Sequence, residues 1–123
     1  MNNAVNWFEI PAADFDRAKT FYETVLGAKI QISPTSRKER KEGYFPSGDG
    51  GVGGGLVQGD GYEPSQTGTL VYLNAGEDLE KALANVERAG GKIALPKTSL
   101  GPNGFIAMFI DTEGNKVAFH SMK

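Results

Sequence analysis

The feature that most constrains this chain is that it repeats itself. At an offset of 64 residues, Asp14 meets Asp78, Asp16 meets Glu80, Arg17 meets Lys81 and Ala18 meets Ala82. Glu23 meets Glu87, Gly27 meets Gly91, Gly50 meets Gly114, and "VNWFEI" falls on "TLVYLN". A repeat that keeps capping residues, an apolar helix face and stop signals together points to duplicated supersecondary units. In the first unit Asp14 is a good N-cap and Asp16 suits the first turn. Phe15, Ala18, Phe21, Tyr22, Val25 and Leu26 recur at helical spacing, and Gly27 supplies the stop. In the second unit Asp78 caps, Leu79, Ala82, Leu83 and Val86 share a face, and Gly90-Gly91 end the helix. Val5 to Ile10, Ala28 to Ser33 and Leu70 to Ala75 read as strands, as does "KIALP". Tyr44-Phe45-Pro46 reads as a short strand whose proline favours an edge. "FIAMFID" and "KVAFHS" make a hairpin across Thr112 to Asn115. The resulting fold class is α+β. Two βαβββ modules, about 4–59 and 68–122, form one domain spanning 1–123.

The stretch "GDGGVGGGLVQGDG", Gly48 to Gly61, needs a separate account. Its first six residues match G-x-G-x-x-G. A dinucleotide fingerprint needs a helix opening at that point, whose amides hold the pyrophosphate. Gly54-Gly55-Leu56-Val57-Gln58-Gly59 is a poor helix. A Walker loop needs a lysine, and none occurs between Lys41 and Lys81. The repeat gives a better reading: Asp49-Gly50 aligns with the turn Glu113-Gly114, and Gly53 to Leu56 with the strand Val117 to His120. The stretch is then a hairpin turn and a strand with few side chains, a place where a ligand can approach backbone.

Composition excludes several classes. A net charge of -2 gives no electrostatic reason to expect nucleic acid or an anionic membrane. The basic cluster Arg37-Lys38-Glu39-Arg40-Lys41 is interrupted by Glu39 and followed by Glu42, and reads as a solvated loop or edge strand. The absence of cysteine removes disulfides, thiolate metal sites and thiol catalysis. No apolar run approaches the ~20 residues of a bilayer span. The N-terminal stretch lacks a basic region and a long apolar core, so the expected location is cytoplasmic.

"WFEIPAADFDRAKTFYETVLG" and "DTEGNKVAFHS", set in a paired βαβββ layout, resemble the vicinal oxygen chelate superfamily of glyoxalase I, extradiol dioxygenases and fosfomycin- and bleomycin-resistance proteins. The likeness is greatest to its short bacterial members related to lactoylglutathione lyase. The runs Asp14 to Tyr22 and Asp111 to Gly114 carry the resemblance. It implies a curved mixed sheet around a concave pocket, with the helices outside. Metal-dependent members hold a divalent ion through His, Glu or Gln, one from each of four strands. Aligned by the resemblance, those positions fall on Val5, Gly54, Leu70 (or Thr69) and Ala118. None supplies the expected donor, so no cofactor and no metal at that site are expected.

Strand alternation within the implied fold sorts the remaining side chains. Phe8, Ile10, Val71, Leu73, Ala75, Val117 and Phe119 go under the helices. The concave face receives Trp7, Leu56, Leu70, Tyr72 and Asn74 as ligand-binding residues, with Glu9 and His120 as candidate catalytic groups. An aromatic pocket with a few polar points suits a small organic ligand. The resemblance also implies a homodimer with pockets between chains. Two functions are therefore expected in competition. One is a metal-independent small-molecule-binding protein. The other is a glyoxalase-like isomerase or lyase using Glu9 as base with His120, and a divalent metal displaced onto that pair.

Overall fold

Asp14 stands in extended backbone and its side chain accepts the Arg17 N–H, so α1 (Phe15–Leu26) starts where a capping carboxylate can satisfy its free amides. Gly27 ends it at φ 66°, a left-handed conformation that a Cβ would strain, and returns its N–H to the Glu23 carbonyl. The second helix, α2 (Glu80–Val86), is shorter. Its N-cap falls on Leu79, whose side chain cannot cap, so Asp78 one residue earlier accepts the Glu80 N–H while pairing with Lys97, and the helix ends at Val86 rather than at the expected Gly90-Gly91. The computed structural model describes residues 3–123, so the first two residues of the N-terminal stretch lie outside it.

Each helix belongs to a four-stranded sheet. The first sheet contains β1 (Trp7–Pro11), β2 (Gln31–Ile32), β3 (Arg40–Tyr44) and β4 (Gly53–Gly59), in the order β1-β4-β3-β2. The second contains β5 (Tyr72–Asn74), β6 (Lys92–Ser99), β7 (Phe105–Ile110) and β8 (Lys116–Ser121), in the equivalent order β5-β8-β7-β6. In both, the strand before the helix pairs in parallel with the last strand of its module, and the other pairs are antiparallel. The duplication seen in the sequence is thus a duplication of topology. Gly50 and Gly114 hold positive φ at corresponding turns, 72° and 95°. Among the described residues no helix is long and apolar enough to cross a membrane.

The detail departs from the sequence reading in two places. The sheets stay separate within the chain rather than forming one curved sheet. On the outside of the sheets, α1 keeps Asp16, Arg17, Thr20 and Thr24 in solvent while its buried face touches both modules: Tyr22 packs edge-on to Phe45 of the first module at 5.1 Å, and Phe21 lies 5.9 Å from Phe109 of β7. The buried residues of both helices and both sheets form one core. Finally, β3 begins at Arg40 rather than Tyr44 and runs between β4 and β2. Arg40 is not a solvated loop residue, because Glu42 at 2.7 Å and Glu9 at 3.6 Å neutralise it on the sheet face.

The two sequence motifs meet in space. The Asp111 carboxylate, 4% exposed, accepts the Tyr22 hydroxyl at 2.6 Å, the Asn115 side-chain amide at 3.0 Å, and the backbone N–H groups of Glu113 and Asn115. Asn115 also donates to the Pro11 carbonyl at the end of β1. Beside it Glu113 takes the Arg17 guanidinium at 2.8 and 3.1 Å and the Asp14 N–H at 2.7 Å. The last hairpin therefore clasps the first helix across 89 to 104 residues of sequence. A buried carboxylate with four donors is stable where a bare one is not. Burial, reinforced by Asp111, pushes the Tyr22 hydroxyl well up, so it stays a neutral donor.

Tyr22→Phe removes one donor from this carboxylate and should cost about 1–3 kcal/mol in urea-induced unfolding. Glu113 supplies a pH dependence. Burial alone raises its carboxyl, but the bonds from Arg17, Asp14 and Thr112 outweigh burial and hold it below the ordinary value of 4.5. A carboxyl lowered on folding stabilises above its unfolded pKa and loses that contribution as pH falls through the folded value. Glu113→Gln should therefore flatten the stability loss below about pH 4.5 in acid unfolding curves.

Candidate functional site

The helices cover one face of each sheet and leave the other open. On β1, Phe8 and Ile10 point to the core, so Trp7 and Glu9 point out. Their partners on β4 are Gly53 and Gly55. The outer face of β4 therefore starts as a strip without side chains. That strip is already occupied from within the chain. A Cβ on Gly53 would stand 3.4 Å from Trp7 Cζ3, and a Cβ on Gly55 would stand 3.5 Å from Trp7 Cζ2. The indole rests on the glycines, Tyr44 meets it edge-on at 5.8 Å and 79°, and 43% of Trp7 remains open to solvent.

Parity decides two of the expected positions differently. Leu56 pairs with Ile10 and is fully buried on the helix side, not in the concave lining. Gly54 pairs with Phe8, and a Cβ there would run into the Phe8 ring, so Gly54 also faces the core. In a strand one residue of register exchanges the faces, and the glycine run offers no side-chain alternation by which to fix it.

Beside Trp7 lies a polar network. Arg40 donates to Glu42 Oε1 at 2.7 Å and to the Tyr62 hydroxyl at 3.0 Å, and its guanidinium stands 5.3 Å over the Tyr62 ring. The Tyr62 hydroxyl donates to Glu9 Oε1 at 3.1 Å. The hydroxyl of Tyr62 and then Glu42 raise the Arg40 pKa, so the guanidinium is charged at all working pH values. Glu9 is therefore held in an ion network rather than standing alone. Arg40, Glu42 and Tyr62 were not among the expected site residues. The alternation Arg40, Glu42, Tyr44 in "RKEGY" carries the signal for two of them. Trp7, Tyr44 and Glu42, with Lys29, Gln31 and Ser47, surround an open recess of about 680 Å³.

The second sheet offers the equivalent face. Tyr72 pairs with Ala118 and Asn74 with His120. Tyr72 is 48% exposed, while Ala118 is fully covered. Asn74 accepts the Gly76 N–H through its side chain. His120 Nε2 lies 2.7 Å from the Asn103 carbonyl. A carbonyl only accepts, so Nε2 is the donor in this bond. Tyr72, Asn74, Leu100, Ile106, His120 and Met122 line a recess of about 610 Å³.

The two candidate catalytic residues do not come together in one chain. Glu9 and His120 stand on different sheets, and Glu9 bonds Arg40 and Tyr62 while His120 bonds Asn103. Among the described residues, no three His, Cys, Asp or Glu side chains converge to hold an ion. Val5 precedes β1 and is exposed, and Leu70 precedes β5. Both open on a largely apolar cleft of about 760 Å³ between the modules, with Phe8, Leu26, Tyr72 and Leu73. That cleft is larger than either recess, but Glu9 and His120 do not line it and lie instead on the outer sheet faces.

Comparison with known proteins agrees with this architecture. Residues 4–119 match the family model for the glyoxalase/bleomycin resistance protein/dioxygenase superfamily. A glyoxylase-like domain-containing protein of Didymella fabae is 31% identical over 118 residues, covering 94% of this chain and 91% of that one. A glyoxalase/bleomycin resistance protein from Albidiferax ferrireducens superposes with a TM-score of 0.75 at 18% identity, covering 98% of this chain and 100% of that one. The fosfomycin resistance protein FosX of Listeria monocytogenes superposes with a TM-score of 0.68 at 13% identity, over 100% and 94% of the two chains. At those identities the superpositions speak for the fold alone. The family model spans nearly the whole chain, and a relative 31% identical covers 94% of it; the chain belongs to the glyoxalase/bleomycin resistance protein/dioxygenase superfamily.

Proposed function

We propose that this chain is a small-molecule-binding member of the superfamily that works without the usual metal, its ligand held between the outer sheet faces of two copies. The observation that carries this reading is the placing of its two open aromatics. Trp7 and Tyr72 are 43% and 48% exposed, each beside a recess on the outer face of its own sheet. A large aromatic kept half in solvent forgoes burial that the core would reward, and suits a contact made with another molecule. Neither recess encloses a ligand by itself. A second copy that sets its Tyr72 face against the Trp7 face supplies the missing wall, and closed isologous pairing is the commonest way to do so.

By the resemblance, the positions that hold the ion in metal-dependent relatives fall on Val5, near Gly54, on Leu70 or Thr69 and on Ala118; Gly54 itself faces the core, its outward neighbours Gly53 and Gly55 have no side chain, and none of these residues supplies an imidazole or a carboxylate. A cofactor-free site follows from that donor set. The relatives named for resistance to fosfomycin and bleomycin speak for a small organic molecule as the ligand class. The enzymatic alternative, an isomerase or lyase with Glu9 and His120, needs the same second copy, because the two stand on different sheets of one chain.

Sedimentation should give a particle of about twice the 13.1 kDa chain mass, and Tyr72→Glu should return it to the monomer. A monomeric wild type would overturn the shared-site reading. Nickel, zinc and manganese titrated into metal-free protein should leave the melting temperature unchanged, while a fragment screen of aromatic molecules should raise it. A stoichiometric ion that stabilises the protein would instead favour the enzyme.

A further inference from the structure

We propose that the recess at Trp7 selects planar cations, with Glu42 as the residue that selects. The inference rests on the outer face being a ligand site, and it names the class of ligand. Glu42 is only 8% exposed. Its Oε1 is taken by Arg40 at 2.7 Å. Its Oε2 receives no hydrogen bond from the described residues, yet stands 3.3 Å from the point where a Gly55 Cβ would be. That point is the same one that lies 3.5 Å from the Trp7 ring. A side chain held in the sheet face by Arg40 thus keeps one carboxylate oxygen with an open lone pair beside an aromatic platform.

The charge around it favours a cation. Glu9 and Glu42 share the single Arg40 guanidinium, which leaves one negative charge in excess on this face. Lys29 stands at the rim, exposed to solvent, and offsets that excess only through water. Lys41 is on the same strand but turns away to Asp16. The indole adds a second attraction, because the face of tryptophan draws a cation within about 6 Å. The glycines beneath prevent any side chain from lifting the indole off the sheet. A ligand with a flat ring and N–H donors in its plane, such as an aryl amidinium, meets both requirements: its ring stacks on Trp7 and its N–H groups donate to Glu42 Oε2.

Trp7 is the only tryptophan of the chain, so its emission reads this recess alone. The test titrates benzamidinium, benzamide and benzoate, which share one shape and differ in charge, into the protein. Benzamidinium should quench Trp7 with an affinity roughly tenfold or more above that of benzoate, with benzamide between them. Glu42→Gln should bring all three to within about twofold while Trp7 keeps its emission maximum. Lys29→Glu changes an exposed rim residue, and should strengthen benzamidinium and weaken benzoate whether or not Glu42→Gln folds. Benzoate binding as well as benzamidinium, or an order that survives Glu42→Gln, would overturn the selectivity. A saturable Trp7 response confined to neutral or anionic molecules would overturn it too, while leaving the binding function intact. No response to any organic molecule would overturn both.

Discussion

The Asp111 carboxylate is the constraint on which the rest depends. It is buried, and it accepts from the first helix through Tyr22 and from its own hairpin through Glu113 and Asn115. Asn115 then reaches the end of β1 through the Pro11 carbonyl. A carboxylate removed from water tolerates no missing donor, so the partners are fixed in position as well as in identity. Fixing Tyr22 fixes α1, and α1 carries Phe21 against Phe109 and Tyr22 against Phe45. The two modules are thereby joined through their helix sides. Their outer faces are left open as a direct consequence, and the candidate site is divided into two halves.

The glycines of β4 have a different task from the one their number suggests. Gly53 and Gly55 clear the space in which the Trp7 indole lies, and Gly54 clears the space of the Phe8 ring on the opposite face. One strand thus accepts an aromatic ring closely on each side, which no strand of larger residues could do. The stretch provides a seat for an aromatic of the same chain, whose other side stays open to solvent.

Much of the fold was legible in the sequence because local physics sets it. The Asp14 cap, the apolar spacing from Phe15 to Val25 and the left-handed Gly27 bracket α1 with no help from the rest of the chain. The repeat gave the topology of the second module once the first was read. Burial of Ile10, Leu73, Val117 and Phe119 followed from alternation in strands that have side chains to alternate. Alternation failed at Leu56 and Gly54, where glycine carries no polarity from which to read a face. It also missed Arg40, whose charge suggested solvent but whose partner Glu9 comes from β1, a strand far from β3 in sequence.

The sequence by itself therefore determined the two βαβββ units, the bounds of α1, and which residues of β1, β5 and β8 face outward, because periods of 2 and 3.6 and capping chemistry act within a few residues. Only the tertiary structure decided that Glu9 joins Arg40 and Tyr62, that His120 turns to Asn103, and that these two residues stand on separate sheets. Those are contacts between segments far apart along the chain. They depend on how the modules dock, and docking is set by a buried carboxylate whose donors lie up to 89 residues away.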